Sequence, residues 1–163
     1  MATITLRRIE AAYTVSGNNP YTLVHPEAAN QTYKNGAILV RNASGHVIEA
    51  TSPNPVAILG VAEADASNDA VAANSNARIN VANDDTVFRA NVSTAQVTAL
   101  TDLGGIFGLI KVGTLWHIDK TAVGTSGRVI IVGYYLGEDV IGDIQGRLLF
   151  IFSQRFSALS STS

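Results

Sequence analysis

The apolar residues of this chain occur in short runs, which are separated by glycine, asparagine, aspartate, serine and proline. Even the longer runs, Val129–Val132 and Leu148–Phe152, are far shorter than the roughly 20 residues of a membrane-spanning helix. Short apolar runs bounded by turn residues are typical of β-strands. The pattern therefore predicts an all-β fold: a compact β-barrel or sandwich of short strands with one short helix and an extended N-terminal arm.

Composition limits the classes of partner and chemistry. The chain has 163 residues, 47% of them hydrophobic, and it contains no cysteine, which excludes disulfides, thiolate nucleophiles and zinc–sulfur sites. Its net charge of −2 indicates no general attraction to nucleic acid or to anionic membranes. The charged fraction of 15% lies below the roughly 25% of an average soluble chain, which indicates that a partner subunit covers part of the surface.

The chain divides into three parts. Residues 1–31 contain the alternating segment Thr3–Arg8 and then irregular polar sequence, and we expect a partner-contacting arm. We expect residues 32–156 to form a single β domain and the serine-rich residues 157–163 to form a flexible tail. The N-terminal residues lack the apolar run of a signal peptide, so we expect a soluble protein made in the cytoplasm.

Strand candidates follow one another from residue 37 onward. Ala37–Arg41 and His46–Ala50 flank the turn Asn42–Gly45, whose asparagine and glycine tolerate the positive φ angles of tight hairpins. The remaining candidates are Val56–Ala62, Arg78–Ala82, Thr86–Val92, Ile106–Val112, Leu115–Asp119, Arg128–Leu136 and Arg147–Ser153. Residues 63–77 are small and polar, which predicts a long surface loop or a weak helix.

One helix has start and stop signals. Ser93 is a suitable N-cap, and Gln96 completes a capping box three residues later. Val97 and Leu100 would share a face, and Gly104-Gly105 would end the helix.

His117 and Asp119 are candidates for chemistry because residues two apart on a strand share a face. One interpretation is a catalytic His–Asp pair or two metal ligands. The alternative, which we favour, is a surface face with Trp116 and Ile118 pointing into the core, since the pair lacks a nucleophile or third ligand.

Three carboxylates, Glu138, Asp139 and Asp143, occupy one glycine-flanked loop. A flexible acidic loop can bind Ca²⁺, but the spacing is not that of a Ca²⁺-binding loop, and we favour a solvated turn. The same interpretation applies to Asp65, Asp69, Asp84 and Asp85.

Arginine and aromatic residues suggest contact surfaces. Arg7-Arg8 lacks the basic and aromatic neighbours of a nucleic-acid site, so solvation or a salt bridge to an acidic partner is the better interpretation. Phe150, Phe152 and Phe156 alternate, which predicts one face in the core or a subunit interface, with a carbohydrate-stacking platform as the alternative. The adjacent Tyr134 and Tyr135 point to opposite faces.

Motifs of common enzymes are missing. The sequence has no Gly-x-x-x-x-Gly-Lys-Ser/Thr phosphate loop, no Gly-x-Gly-x-x-Gly and no Gly-x-Ser-x-Gly. We therefore expect no cofactor and no enzymatic activity, and a compact β domain with an arm suits a component of an assembly.

The stretches 32–41, 45–50 and 57–63 resemble head decoration (cement) proteins of tailed bacteriophages. So does the later order of Phe107-Gly-Leu, Leu115-Trp-His-Ile-Asp, Arg128-Val-Ile-Ile-Val and Gly142–Phe152. The resemblance covers residues 32–152.

The resemblance implies a structural protein of the virion. Such proteins bind the outer surface of the icosahedral head, contact the major capsid protein, and stabilise the shell against internal DNA pressure; they are often homotrimers. The alternatives are a tail or adhesin domain that binds carbohydrate through Trp116 or the two tyrosines, and a small hydrolase using His117 and Asp119. For the decoration role we expect a capsid or subunit interface formed by Ile4, Leu6, Arg7, Arg8, Ile9, Tyr13 and Phe156.

Overall fold

The computed structural model describes residues 1–158, and within them the backbone forms eleven β-strands and three single-turn 3₁₀ segments. The all-β prediction is confirmed. No helix in residues 1–158 is both long enough and apolar enough to cross a membrane. The strands are β1 (Glu10–Thr14), β2 (Thr22–Pro26), β3 (Ile38–Arg41), β4 (Val47–Glu49), β5 (Gly60–Ala62), β6 (Asn76–Val81), β7 (Thr86–Asn91), β8 (Ile106–Val112), β9 (Leu115–Val123), β10 (Val129–Tyr134) and β11 (Arg147–Phe152).

The strands form two antiparallel sheets. The six-stranded sheet has the order β1-β7-β11-β10-β8-β9, and the five-stranded sheet has the order β2-β6-β5-β3-β4. In the first sheet, a single parallel bridge joins Val92, just after β7, to Ile118 of β9. In the second sheet, a single parallel bridge joins Glu27, just after β2, to Val47 of β4. In the part of the chain that the structure describes, neither sheet closes into a barrel, so the architecture is sandwich-like.

The core contains an aromatic cluster on β7 and β11. Phe150 and Phe152 are two residues apart on β11, so their rings lie on the same face and meet Phe88 of β7. The ring centroids are 5.2–5.8 Å apart, and all three side chains are buried. The prediction that Phe150 and Phe152 share a face is confirmed, and that face belongs to the core.

The predicted strand Val56–Ala62 is shorter in the structure, where only Gly60–Ala62 is strand. The preceding chain bends instead of pairing, with positive φ angles at Asn54 and Ala57. The backbone N–H of Asn54 donates to the carbonyl of Leu109 on β8, and the side-chain oxygens of Asn54 and Ser52 accept the N–H groups of Leu109 and Lys111.

The helix predicted from Ser93 is wrong. Ser93 bonds through its N–H to Ile118 as an extension of strand pairing, and Ala95 has a φ of 62°, which an α-helix does not allow. The Gln96 side chain bonds to β9 instead of capping a turn. Only Leu100–Asp102 forms a single 3₁₀ turn, in which the Asp102 carboxylate accepts the N–H of Ala99.

The assignment of residues 1–31 to an arm outside the core is corrected. Glu10–Thr14 pairs with β7, and Thr22–Pro26 pairs with β6, so this region contributes one strand to each sheet. Ile9 is buried in the core cluster. The alternating segment Thr3–Arg8 forms one isolated bridge, between Thr3 and Ile144.

The prediction of a flexible tail from residue 157 is wrong for Ser157 and Ala158. Ser157 is buried, forms a parallel bridge with Ile58 and donates its hydroxyl to the carbonyl of Ala82 at 2.9 Å. The N–H of Ala158 bonds to Ile58. The rest of the predicted tail, residues 159–163, lies outside the described residues.

Candidate interaction surface

Residues 2–7, which we call the N-terminal strap, run along the surface of their own chain in a groove. The N–H of Ala2 donates to Oδ1 of Asp143 at 2.7 Å. The N–H of Ile4 donates to the carbonyl of Ile144, and the N–H of Ile144 donates to the carbonyl of Ala2, both at 2.8 Å. The first half of the strap is therefore held as an extra short strand beside Ile144.

Asn91, at the end of β7, holds the second half of the N-terminal strap. Its side chain is buried, and its Oδ1 accepts the N–H of Arg7 at 2.9 Å. Its Nδ2 donates to the carbonyl of Thr5 at 3.3 Å and to the carbonyl of Gln145 at 2.6 Å. The amide thus supplies the acceptor and donor that a neighbouring strand would supply.

A buried ion pair fixes the loop that forms the other side of the groove. The Arg147 guanidinium contacts both oxygens of Asp139, at 2.7 and 3.0 Å, and Oε2 of Glu138 at 2.9 Å. The hydrogen bonds that Arg147 donates to Asp139 raise the pKa of Arg147. Glu138 also accepts Arg7 of the strap at 3.1 Å, and the Tyr135 ring lies against the Arg147 guanidinium at 4.3 Å.

Asp143 is the acidic anchor of the strap. The N–H groups of Ala2 and Val140 both donate to its carboxylate, and these bonds lower its pKa. Asp139 and Asp143 are buried, so the interpretation of this loop as a solvated turn is wrong for both. Within residues 1–158, no three His, Asp or Glu side chains are placed to hold a metal ion.

The predicted interface residues fall into separate places. Ile4, Leu6 and Arg7 belong to the strap, where Ile4 and Leu6 are half-buried and Arg7 is exposed. Ile9 is buried in the core. The two arginines were expected to be solvated or to form a salt bridge with a partner. Arg7 forms a salt bridge with Glu138 of its own chain, and Arg8 is exposed. Tyr13 is exposed on β1, and Phe156 is half-buried beneath the Arg128 guanidinium, 3.7 Å from its ring centroid.

His117 and Asp119 do not form a pair. His117 is buried, neither ring nitrogen has a hydrogen-bond partner within residues 1–158, and burial lowers its pKa. Asp119 accepts bonds from Gln96 and Thr121. The expectation that His117 lies on a surface face is wrong, because β9 is covered on both sides at this point.

The aromatic residues that the tail or adhesin alternative assigned to carbohydrate binding have partners within the chain. Trp116 is buried, as predicted for a core side chain, and its Nε1 donates to Glu49 at 3.0 Å. Tyr134 donates its hydroxyl to the carbonyl of Leu100 at 2.5 Å. The Tyr135 ring is contacted by two arginines, Arg89 at 4.7 Å and Arg147.

Four exposed apolar side chains, which we call the apolar patch, belong to β10 and to the segment 100–106 that bonds to it: Leu100, Leu103, Ile106 and Val132, between 39% and 72% exposed. Backbone bonds join this segment to β10, since Ile131 bonds to both Gly104 and Gly105 and Ile106 pairs with Ile130. Sequence reasoning missed the patch because it placed Leu100 on one face of an α-helix that does not form.

Asn91 was missed as well, because nothing in the sequence distinguishes an asparagine at a strand end that binds backbone 84 residues away.

A comparison of the chain with family models, curated proteins and solved structures finds no match.

Proposed function

We propose that this chain is a structural decoration protein, which binds the outer surface of an icosahedral phage head and stabilises it against the pressure of packaged DNA. The observation that carries the proposal is the apolar patch. Groups of exposed apolar side chains mark surfaces that bind proteins, membranes or ligands. Backbone hydrogen bonds attach the segment 100–106 to β10, which limits the ordering needed when a partner binds.

The resemblance over residues 32–152 supplies the kind of partner. In this proposal the major capsid protein contacts the apolar patch, and the protein acts on the virion as a homotrimer. Three linked copies that engage neighbouring capsid subunits gain roughly 10²- to 10⁴-fold in avidity over one weak contact. The low charged fraction of 15% suits a protein whose surface is partly covered in its assembly.

The test uses heads of a phage that encodes this chain, assembled without it. Adding the purified protein should saturate the head surface and raise the temperature at which heads rupture. Val132→Asp should weaken head binding at least tenfold, because it places a charge in the apolar patch. Val71→Asp is the matched control, since Val71 is an exposed valine outside the patch, and it should bind like the wild type.

Circular dichroism melts of both variants confirm that each is folded. An unchanged rupture temperature with wild-type protein, or equal binding by both variants, contradicts the proposal. Binding to a glycan array together with no association with heads would instead support the carbohydrate-binding tail or adhesin function.

A further inference from the structure

The groove that holds the N-terminal strap recognises backbone. Of the contacts described above, those from Asn91, Asp143 and Ile144 all go to N–H or C=O groups of residues 2–7. One side-chain contact is added, the ion pair of Arg7 with Glu138, and both of its partners are half-exposed. The groove therefore fits an extended segment bearing this sequence, whichever copy of the chain supplies it.

The groove is built independently of the strap. Asn91 is oriented by its bond to Gln145, Asp143 accepts the N–H of Val140, and Arg147 fixes the loop through Asp139. An empty groove would leave the buried Oδ1 of Asn91 without the N–H of Arg7, and an unpaired buried acceptor is costly. An occupied groove is therefore favoured over an empty one.

The root of the strap is fixed by packing, whereas residues 2–7 are held by hydrogen bonds and one ion pair, and most of their side chains are exposed. A Cβ on Gly36 would lie 2.6 Å from Cβ of Arg8 and 2.9 Å from the carbonyl of Ile9, so the chain is held tightly there. Ile9 is buried, and residues 1–3, 5, 7 and 8 are exposed. Six residues beyond this root reach about 20 Å when extended.

The apolar side chains beside the strap stay uncovered when the strap binds its own chain. Met1 and Val140 are exposed, Ile4 and Ile141 are half-buried, and together they line a shallow cleft of about 530 Å³ next to Asp143. A second copy seated over this cleft would cover these residues. It would also bring its own strap within reach of the groove.

We propose that the assembled protein exchanges N-terminal straps, so that the groove of each copy binds residues 2–7 of a neighbouring copy. Every backbone bond made within one chain is made again between chains, so exchange costs little and links the copies. The occupant is a second copy of this chain, and the inference does not depend on what the apolar patch binds.

The chain lacks cysteine, which permits a direct test by disulfide formation. Thr3 and Ile144 are bridge partners, so Thr3→Cys in one copy and Ile144→Cys in another can form a disulfide only across an exchanged strap. The two single variants are co-expressed with tags of different size, oxidised and separated on a non-reducing gel. The control pair is Val24→Cys with Arg78→Cys, register partners on β2 and β6 that stay within one copy.

Exchange predicts that most Thr3→Cys chains are joined to Ile144→Cys chains, with only background joining in the control pair. The double variant Thr3→Cys/Ile144→Cys should give covalent oligomers. Closure of the double variant within single chains, without joining of the single variants, overturns the proposal. Absence of both products overturns it too, because the strap then does not occupy the groove. None of these readouts involves phage heads, so they are separate from the test of the proposed function.

Discussion

Arg147 and Asp139 form a two-bond ion pair that is shielded from solvent on both sides. Nη2 of Arg147 lies 2.7 Å from Oδ1, and Nε lies 3.0 Å from Oδ2, while the backbone N–H of Arg147 also donates to Oδ2 at 2.7 Å. One carboxylate thus satisfies three donors of a single residue. The pair joins β11 to the loop that carries Asp143 and hence to the strap groove.

We expect Asp139→Asn to destabilise the fold by about 3–5 kcal/mol, because it leaves a buried guanidinium without its counter-charge. Glu138→Gln is the control, since Glu138 binds the same guanidinium from an exposed position and should cost under about 1 kcal/mol. Urea unfolding at neutral pH measures both values. Equal losses in the two variants would show that burial of the pair has no energetic weight.

The second prediction concerns pH. Burial lowers the pKa of His117 in the folded state, so the unfolded chain binds a proton more readily than the folded chain below the ordinary histidine pKa of about 6.5. Stability due to neutral His117 is complete above that pH. It is lost as the pH falls, by up to about 1.4 kcal/mol per pH unit.

The variant His117→Leu should remove this dependence between pH 6.5 and 5, a window chosen to lie above most carboxylate titrations. His46→Leu serves as the control for a half-buried histidine, and it should keep the wild-type slope. The measurement is the free energy of unfolding in urea at several pH values. Parallel pH profiles for wild type and His117→Leu would contradict the assignment.

The strands could be predicted where local pattern decides the structure. The strand Ile106–Val112 is found with the predicted bounds, because glycines on both sides of a short apolar run mark where the strand begins and ends. Glu10–Thr14 could not be predicted in this way. It carries no alternation of apolar and polar residues, and it becomes a strand by pairing with β7, more than 70 residues later in the chain.

The same distinction applies to the site. The capping signals of Ser93 and Gln96 are real local preferences, but β9 provides stronger partners for both residues. His117 was expected on a surface because one face of a strand is usually exposed to solvent. Three consecutive buried residues, Trp116 to Ile118, show that β9 is covered on both faces by segments distant in sequence.

The third prediction compares two reasons why a position requires glycine: close packing against a neighbouring strand and a positive φ angle. A Cβ on Gly60 would lie 1.9 Å from the carbonyl oxygen of Asn80, where β5 and β6 pair, so Gly60→Ala should cost about 3 kcal/mol or more. Gly45 has open space around it but a φ of 85°, so Gly45→Ala should cost only about 1–2 kcal/mol.

Thermal and urea unfolding of the two alanine variants give the comparison. Both substitutions add one methyl group, which makes them a matched pair. A loss at Gly60 no larger than that at Gly45 would mean that β5 and β6 can separate without penalty at this point.

The fourth prediction addresses the amide of Asn91. Asn91→Asp keeps an acceptor for the N–H of Arg7 but replaces the donor to Thr5 and Gln145 with an oxygen that faces two carbonyls. We expect a loss of about 3 kcal/mol at neutral pH, since a buried charge then lacks a partner. The loss should shrink in acid, because burial raises the pKa of the new carboxyl and its protonated form can donate again.

Asn42→Asp is the matched control. Oδ1 of Asn42 accepts the N–H groups of Ser44 and His46, a role that a carboxylate also fills, so this variant should unfold within about 0.5 kcal/mol of the wild type. Hydrogen exchange of residues 3–7 adds a local measure, and we expect Asn91→Asp to expose the N–H of Arg7. Unchanged protection of Arg7 together with wild-type stability would show that the amide does not hold the strap.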